Sequence, residues 1–247
     1  MADRRALVTG ASRGIGRAIA LRLAREGWQI ALHYGFDDGE AEKTKRALGQ
    51  KCLGMYQADL ANPKEAVTLW KAALKDGPIH ALVNNAGVYM PIDFLSSGDA
   101  SFAANYHRTF AVNLESPLML LREATKEFAA QGGGKVLNVA SRVGFRGEGG
   151  AALYAASKAA LINLTRSLAV ELATKNILLF AIAPGWVETA MAREGMDSRL
   201  EEILSGIPLG RMAKPEDCAA AAAFLLSDEA AYLSGIAIDI NGASYFH

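Results

Sequence analysis

The chain has little cysteine and little proline, no surplus of charge of either sign, and no long apolar run. Its two cysteines, Cys52 and Cys218, are too few for a disulfide framework and too far apart for a CxxC metal pattern. They point to a reducing compartment and to ordinary buried thiols. Lys+Arg and Asp+Glu both number 26, so the broad attraction that nucleic acid or an anionic membrane would exploit is missing. The longest apolar runs, 177–183 and 218–226, fall well short of the roughly 20 residues needed to cross a bilayer. The opening residues Met1-Ala2-Asp3-Arg4-Arg5 are not followed by the apolar stretch of a secretory leader. His33, His80, His107 and His247 show no metal-ligand spacing. These absences predict a cytoplasmic protein with no catalytic metal, no membrane and no nucleic-acid partner.

What is present is a 51% hydrophobic chain of 247 residues in which short apolar runs alternate with longer helical patterns from end to end. That alternation is the mark of βαβ units and a parallel sheet. Strands are expected at Ala6–Thr9, Ile30–His33, Gly54–Gln57, Ala81–Asn84, Lys135–Val139, Leu178–Ile182 and Ile236–Ile240. Helices are expected at Arg17–Glu26, Ala41–Leu48, Pro63–Lys75, Leu153–Thr174 and Pro215–Leu226, with a helix-rich stretch ending near Gln131. Asp37 and Glu40 have the spacing of a capping box for the second helix. No linker, low-complexity tract or repeat interrupts the pattern, so 1–247 reads as one domain.

Between the first strand and first helix lies Thr9-Gly10-Ala11-Ser12-Arg13-Gly14-Ile15-Gly16. Glycines there let the backbone turn tightly and approach a pyrophosphate seated on the helix N-terminus. The expected fold is therefore a Rossmann-like, doubly wound, seven-stranded parallel sheet with helices on both faces. Its nucleotide-binding half covers about 1–90, and its catalytic and lid half about 91–247. The second strand ends at His33-Tyr34, without an acid to read a ribose 2′-hydroxyl, and Asp37 and Asp38 read better as a helix cap. Arg13 is a cation placed to pair with a 2′-phosphate, so NADP(H) is expected, with NAD(H) as the alternative.

Tyr154 and Lys158 are four residues apart on an expected helix and so share one face. An ammonium beside a phenol favours the phenolate and brings a group of ordinary pKa near ~10 closer to neutrality. Ser141 and Asn84-Asn85-Ala86-Gly87 join the pair at strand ends, where doubly wound sheets bind ligands, and Asn113 lies in the helix between. Asn is awkward inside a helix, and a local kink that holds a water is one use for it.

With TGASRGIG, NNAG at 84–87, Asn113, Ser141, YAASK at 154–158, and Pro184-Gly185 with Thr189, the chain resembles the short-chain dehydrogenase/reductase family over essentially its whole length. Within that family it is most similar to 3-oxoacyl-acyl-carrier-protein reductases, through 207–211, 215–217 and 233–242. The resemblance implies Tyr154 as the general acid in ketone reduction and Lys158 as the group that tunes it and holds the nicotinamide ribose. Ser141 would hold the substrate oxygen, and Asn113 a water of the proton relay. The cofactor would lie against Gly10, Ser12, Arg13, Gly14, Ile15, Gly16, Tyr34, Asp59, Leu60, Asn85, Ala86, Gly87, Pro184, Gly185, Val187 and Thr189. The family pattern is broken at Phe180, where Asn is common, at Ala243, where a second Gly is usual, and at Asp93–Tyr106, which is a few residues longer than in typical reductases.

Arg142 and Arg146 place two cations just after Ser141. The excursion Gly185–Arg211, with Trp186, Met191, Met196, Leu200, Ile203 and Leu204, has the apolar character of a lid. Together they suit an apolar acyl chain with an anionic carrier or phosphopantetheine end, hence NADPH-dependent reduction of a 3-oxoacyl thioester in fatty acid biosynthesis. The alternatives are dehydrogenation of a small alcohol or sugar and a silent nucleotide sensor. Apolar residues on more than one helix face, as in 118–121 and 161–172, together with the resemblance, lead to an expected homotetramer.

Overall fold

The computed structural model describes residues 4–190 and 200–247. Seven strands form one parallel sheet in the order β3-β2-β1-β4-β5-β6-β7. They are β1 Arg5–Val8, β2 Gln29–Tyr34, β3 Cys52–Gln57, β4 Ala81–Asn84, β5 Gly134–Val139, β6 Ile177–Pro184 and β7 Ala237–Ile240. The order reverses at β1, which pairs with both β2 and β4, and a crevice therefore opens beyond the carboxyl ends of these two central strands.

Period-two alternation sorts side chains to the two faces. Ala6, Val8, Ala81, Val83, Leu137, Val139, Phe180 and Ile182 meet the helices α1 Gly14–Arg25, α2 Asp38–Leu48 and α8 Pro215–Leu225. Leu7, Leu82, Val136 and Leu179 point the other way, to α3 Pro63–Leu74, α5 Ser116–Ala130 and α6 Ala152–Leu172. Each fully buried Leu or Phe contributes about 1.5–3 kcal/mol, so two such cores dominate the stability. Phe180, the departure noted in β6, is fully buried among these apolar neighbours.

The helix starts follow local chemistry. Asp37 accepts from the Glu40 amide at 2.9 Å, whereas the Glu40 carboxylate turns to Lys43 and Arg17, so only one arm of the expected capping box forms. Asn62 caps α3 with Pro63 as its first residue. α4 Asp99–Phe110 runs through a wide π turn, Ala111–Glu115, into α5. The long stretch before α4 is organised by Asp93, whose carboxylate accepts from the amides of Leu95 and Ser96, both at 2.9 Å. In the excursion after β6, Val187 bridges to Ala213 and α7 covers Leu200–Ser205. Met191 and Met196, expected in the lid, lie outside the described residues. Among the described residues no helix is long and apolar enough to cross a membrane.

Ala243 adopts φ 67°, a left-handed conformation that a Cβ disfavours. The usual glycine at this position would relieve that strain at a smaller cost in chain entropy. Ala243→Gly is expected to stabilise the fold by about 1 kcal/mol, read as a higher urea midpoint.

Candidate active site

The carboxyl ends of β1, β4, β5 and β6 and the loops beyond them line one cleft of about 1310 Å³. The glycine loop closes one side. Gly10 and Gly14 sit at φ 62° and 55°, and a Cβ on Gly16 would collide with the Asn85 amide and the Gly10 carbonyl. Only side-chain-free residues allow this close passage of backbone.

The loop is held from beneath by three side chains. His33 accepts from the Gly10 amide through Nδ1 at 3.0 Å, while its Nε2 donates to the Ala58 carbonyl at 3.1 Å. Thr44 donates to the Ser12 carbonyl at 2.9 Å. The Asn85 amide donates to the Thr9 and Gly10 carbonyls at 2.8 and 3.2 Å, so much of this residue's bonding serves the loop. His33 is 2% exposed, and burial pushes its imidazole down to about 4, which keeps it neutral. Nothing in the spacing of the chain distinguished His33 from an ordinary core residue.

On the other side stands the Ser–Tyr–Lys cluster. Ser141, at the end of β5, caps a short turn by accepting from the Val143 amide at 3.4 Å and hydrogen-bonds to the Tyr154 hydroxyl. Lys158 is 3% exposed, donates to the Val139 carbonyl at 2.8 Å, and lies 5.7 Å from the centre of the Tyr154 ring. Burial pushes the Lys158 ammonium down to about 8. Tyr154 is pushed up to about 12, chiefly by burial, against the opposing hydrogen bond from Ser141. The lowering expected from the neighbouring ammonium does not appear; the only opposing effect is the Ser141 hydrogen bond, desolvation outweighs it, and the proton is retained. Tyr89, which the sequence reading missed, packs edge-on against Tyr154 at 5.1 Å.

Asn113 lies in the π turn and is fully buried. Its amide is spent on protein: Oδ1 accepts from the Val88 amide at 2.8 Å, and Nδ2 donates to the Val88 carbonyl and Ser157 Oγ at 2.9 and 3.2 Å. A Cβ on Gly87 would come within 3.3 Å of Asn113 Oδ1 and 3.5 Å of Lys158 Nζ, so this glycine lets the β4 end press against both.

Most of the expected contact residues do line the cleft: Gly10, Ser12, Arg13, Gly14, Ile15, Asp59, Leu60, Asn85, Ala86, Gly87, Pro184, Gly185, Trp186, Val187 and Thr189. Thr189 faces Gly14, with its methyl 3.3 Å from where a Cβ would stand. Gly16 lies just behind the lining, and Asp59 accepts from the Ala61 amide at 2.9 Å. The fully buried Asn113 is also absent from the lining, and Tyr34 and Arg146 are not brought there either. Tyr34 is buried and bonds to Asp38, because the strand's alternation turns it into the core, and Arg146 lies outside the lining. Arg142 does line the cleft but is not a free cation. It is 7% exposed, donates to Ser244 at 2.7 Å, and pairs with Glu148 at 3.3 Å. The exposed cation on the lining that sequence reasoning overlooked is Arg108 of α4. Among the described residues no cluster of His, Cys, Asp or Glu forms a metal site.

A glycine loop and a Ser–Tyr–Lys cluster facing each other across the strand ends of a parallel sheet define a nucleotide-dependent oxidoreductase. A family model described as enoyl-(acyl carrier protein) reductase matches residues 10–242. The 3-oxoacyl-[acyl-carrier-protein] reductase FabG of Staphylococcus aureus is 36% identical over 243 residues, covering 97% of both chains. Nodulation protein G of Rhizobium sp. is 38% identical over 243 residues, covering 98% of this chain and 97% of that protein. A solved structure from Beutenbergia cavernae, described as an NAD(P) dependent gluconate 5-dehydrogenase with bound NADP at low occupancy, superposes with a TM-score of 0.91 at 34% identity, covering 99% of this chain and 97% of that one. The chain belongs to the short-chain dehydrogenase/reductase family, and it is an NAD(P)-dependent oxidoreductase acting on carbonyl or alcohol groups.

The His33 latch makes stability pH-dependent. Its imidazole resists the proton when folded but accepts it near 6.5 when unfolded, so its contribution is complete above that value and is lost as the pH falls toward about 4. Between pH 7 and pH 5 the loss is about 2 kcal/mol. His33→Asn, which does not titrate, is expected to shrink the difference between the urea midpoints measured at those two pH values.

Proposed function

We propose that the protein is an NADPH-dependent reductase of a 3-oxoacyl thioester or a similar β-keto compound. The observation that carries the chemistry is the Ser141–Tyr154 hydroxyl pair open to the cleft, with Lys158 buried behind it. The cradle fits a dinucleotide. Gly10, Gly14 and Gly16 expose backbone at the start of α1, and Arg13 stands exposed at that helix's N-cap, where a 2′-phosphate would meet it.

When bound, the nicotinamide supplies the hydride that reaches the carbonyl carbon. Ser141 holds the carbonyl oxygen, and Tyr154, kept protonated by its burial, gives that oxygen its proton. Lys158, charged below about pH 8, steadies the resulting phenolate and orients the nicotinamide ribose. Asn113 holds Val88 and Ser157 in place, and the π turn around it offsets the helix ladder where a relay water would enter.

The thioester rests on similarity to FabG and on the cleft's character. Tyr89, Pro91, Val143, Trp186 and Ile203 give it an apolar lining, and Arg108 supplies at its edge the anion contact first expected of Arg142 and Arg146. A homotetramer is the assembly we favour, supported by Tyr106, Leu118 and Val170 exposed on α4, α5 and α6.

Tyr154→Phe is expected to lower ketone reduction by about 100- to 10,000-fold while NADPH still binds, more tightly than NADH, in a fluorescence titration. Retention of half the wild-type rate would overturn the assignment. For the substrate, an acetoacetyl thioester of phosphopantetheine is expected to show a lower KM than a neutral β-keto ester of equal acyl length. Arg108→Ala should narrow that gap, with KM moving more than kcat. Equal KM values for the two compounds would favour a small alcohol or sugar as the substrate.

A further inference from the structure

The loop between Ser141 and α6 carries a carboxylate into the cleft. Glu148 lies between Gly147 and Gly149, and the loop around it is pinned at both ends. The Arg146 amide donates to the Arg142 carbonyl at 3.2 Å, the Ala151 amide to the Glu148 carbonyl at 3.2 Å, and the Ile92 amide to the Gly150 carbonyl at 3.0 Å. The side chain is fixed as well. Arg142 reaches it at 3.3 Å while its other terminal nitrogen is held by Ser244, four residues past the end of β7. The Glu148 side chain keeps 20% of its surface exposed and, with Ser141 and Tyr154, lines the same cleft.

We propose that Glu148, positioned by Arg142, is a specificity residue that rejects substrates bearing an anionic group next to the reacting carbonyl and so admits the masked, uncharged acyl end of a thioester, ester or ketone. This deepens the proposed reductase reading but depends only on the part of it that makes Tyr154 the proton donor. The physical basis is like-charge repulsion in a partly dehydrated site. A free 3-oxo acid would bring its carboxylate to the region where the negative charge of Glu148 already acts on the Tyr154 phenol and helps hold its proton. Arg142 does not cancel this for a ligand. Its guanidinium is 8% exposed in side-chain surface, is engaged by Ser244 and Glu148, and has its Nε buried without a partner, so it offers the cleft little beyond what Glu148 already uses. A carboxylate serving only as the counter-ion of Arg142 would need no place on the cleft lining.

The test compares kcat/KM for acetoacetate and ethyl acetoacetate, and in parallel for pyruvate and 2,3-butanedione, with the full-length enzyme and NADPH. Wild type is expected to prefer the neutral member of each pair. Glu148→Gln should raise the anionic-to-neutral ratio about tenfold, the size of one partly screened charge contact. The double variant Arg142→Gln/Glu148→Gln, which leaves no unpaired charge behind, should show the same gain if the single variant folds poorly. A second readout is the alkaline limb of the pH–rate profile. Glu148 faces Arg142 directly, and Arg146, Tyr89 and the Lys158 ammonium beside the Tyr154 ring are the other charged or titratable groups of this cluster. Lys158 gives up its proton first, near pH 8, so the limb to follow is the second and higher one: loss of the Glu148 charge should move that Tyr154 limb to lower pH, which a merely structural role would not do. An unchanged ratio in both variants, or a wild type that reduces the anionic member as efficiently as the neutral one, would overturn the proposal. Failure of the thioester reading would appear instead as indifference to the phosphopantetheine group, with the charge discrimination intact.

Discussion

The structure depends on how a glycine-rich loop is held still. Its glycines gain close backbone approach but bring no side chains to anchor it, and of its own residues Thr9 ties it to the end of β4, accepting from the Asn85 and Ala86 amides at 2.9 and 3.0 Å. Here His33 binds the Gly10 amide, Thr44 the Ser12 carbonyl, and Asn85 the Thr9 and Gly10 carbonyls, each from a different element of the fold. Removing any one would leave a buried polar group unpaired, at a cost of about 1–3 kcal/mol. The nucleotide cradle is thus shaped as much by β2, α2 and the end of β4 as by its own residues.

A second set of buried polar contacts does for the catalytic half what these do for the loop. Asn84 donates to Asn138 at 2.9 Å, Asn138 to Thr165 at 2.8 Å, and Thr165 to the Leu161 carbonyl at 2.8 Å, which links β4, β5 and α6. Lys158, on the same helix, returns to β5 through the Val139 carbonyl. Such a chain fixes the helix against the sheet in rotation and in register, where apolar packing alone tolerates sliding. The relative positions of Ser141 on the strand end and Tyr154 on the helix follow from it.

Burial then sets the proton inventory. The same desolvation raises the Tyr154 phenol and lowers the Lys158 ammonium, so the acid keeps its proton while the base beside it stays close to losing one. Similarly, Arg142 is drawn inward and held by Ser244 and Glu148, which turns a residue that reads as an exposed anion receptor into part of the cleft wall.

The sequence by itself determined the order of strands and helices along the chain, the glycine loop, and the Tyr154–Lys158 spacing, because these rest on local periodicity and on residues near one another in the chain. The predicted strands differ from the observed ones mainly by a residue or two at their ends, where fraying hydrogen bonds leave little signal, as at β3, which begins at Cys52 rather than Gly54. Tertiary structure alone decided that His33 latches the loop, that Tyr34 turns into the core, that Asn113 spends its amide on Val88 and Ser157, and that Ser244 restrains Arg142. Each of those facts joins residues far apart in sequence, and it is side-chain direction and desolvation, which no local pattern encodes, that settle which polar groups meet.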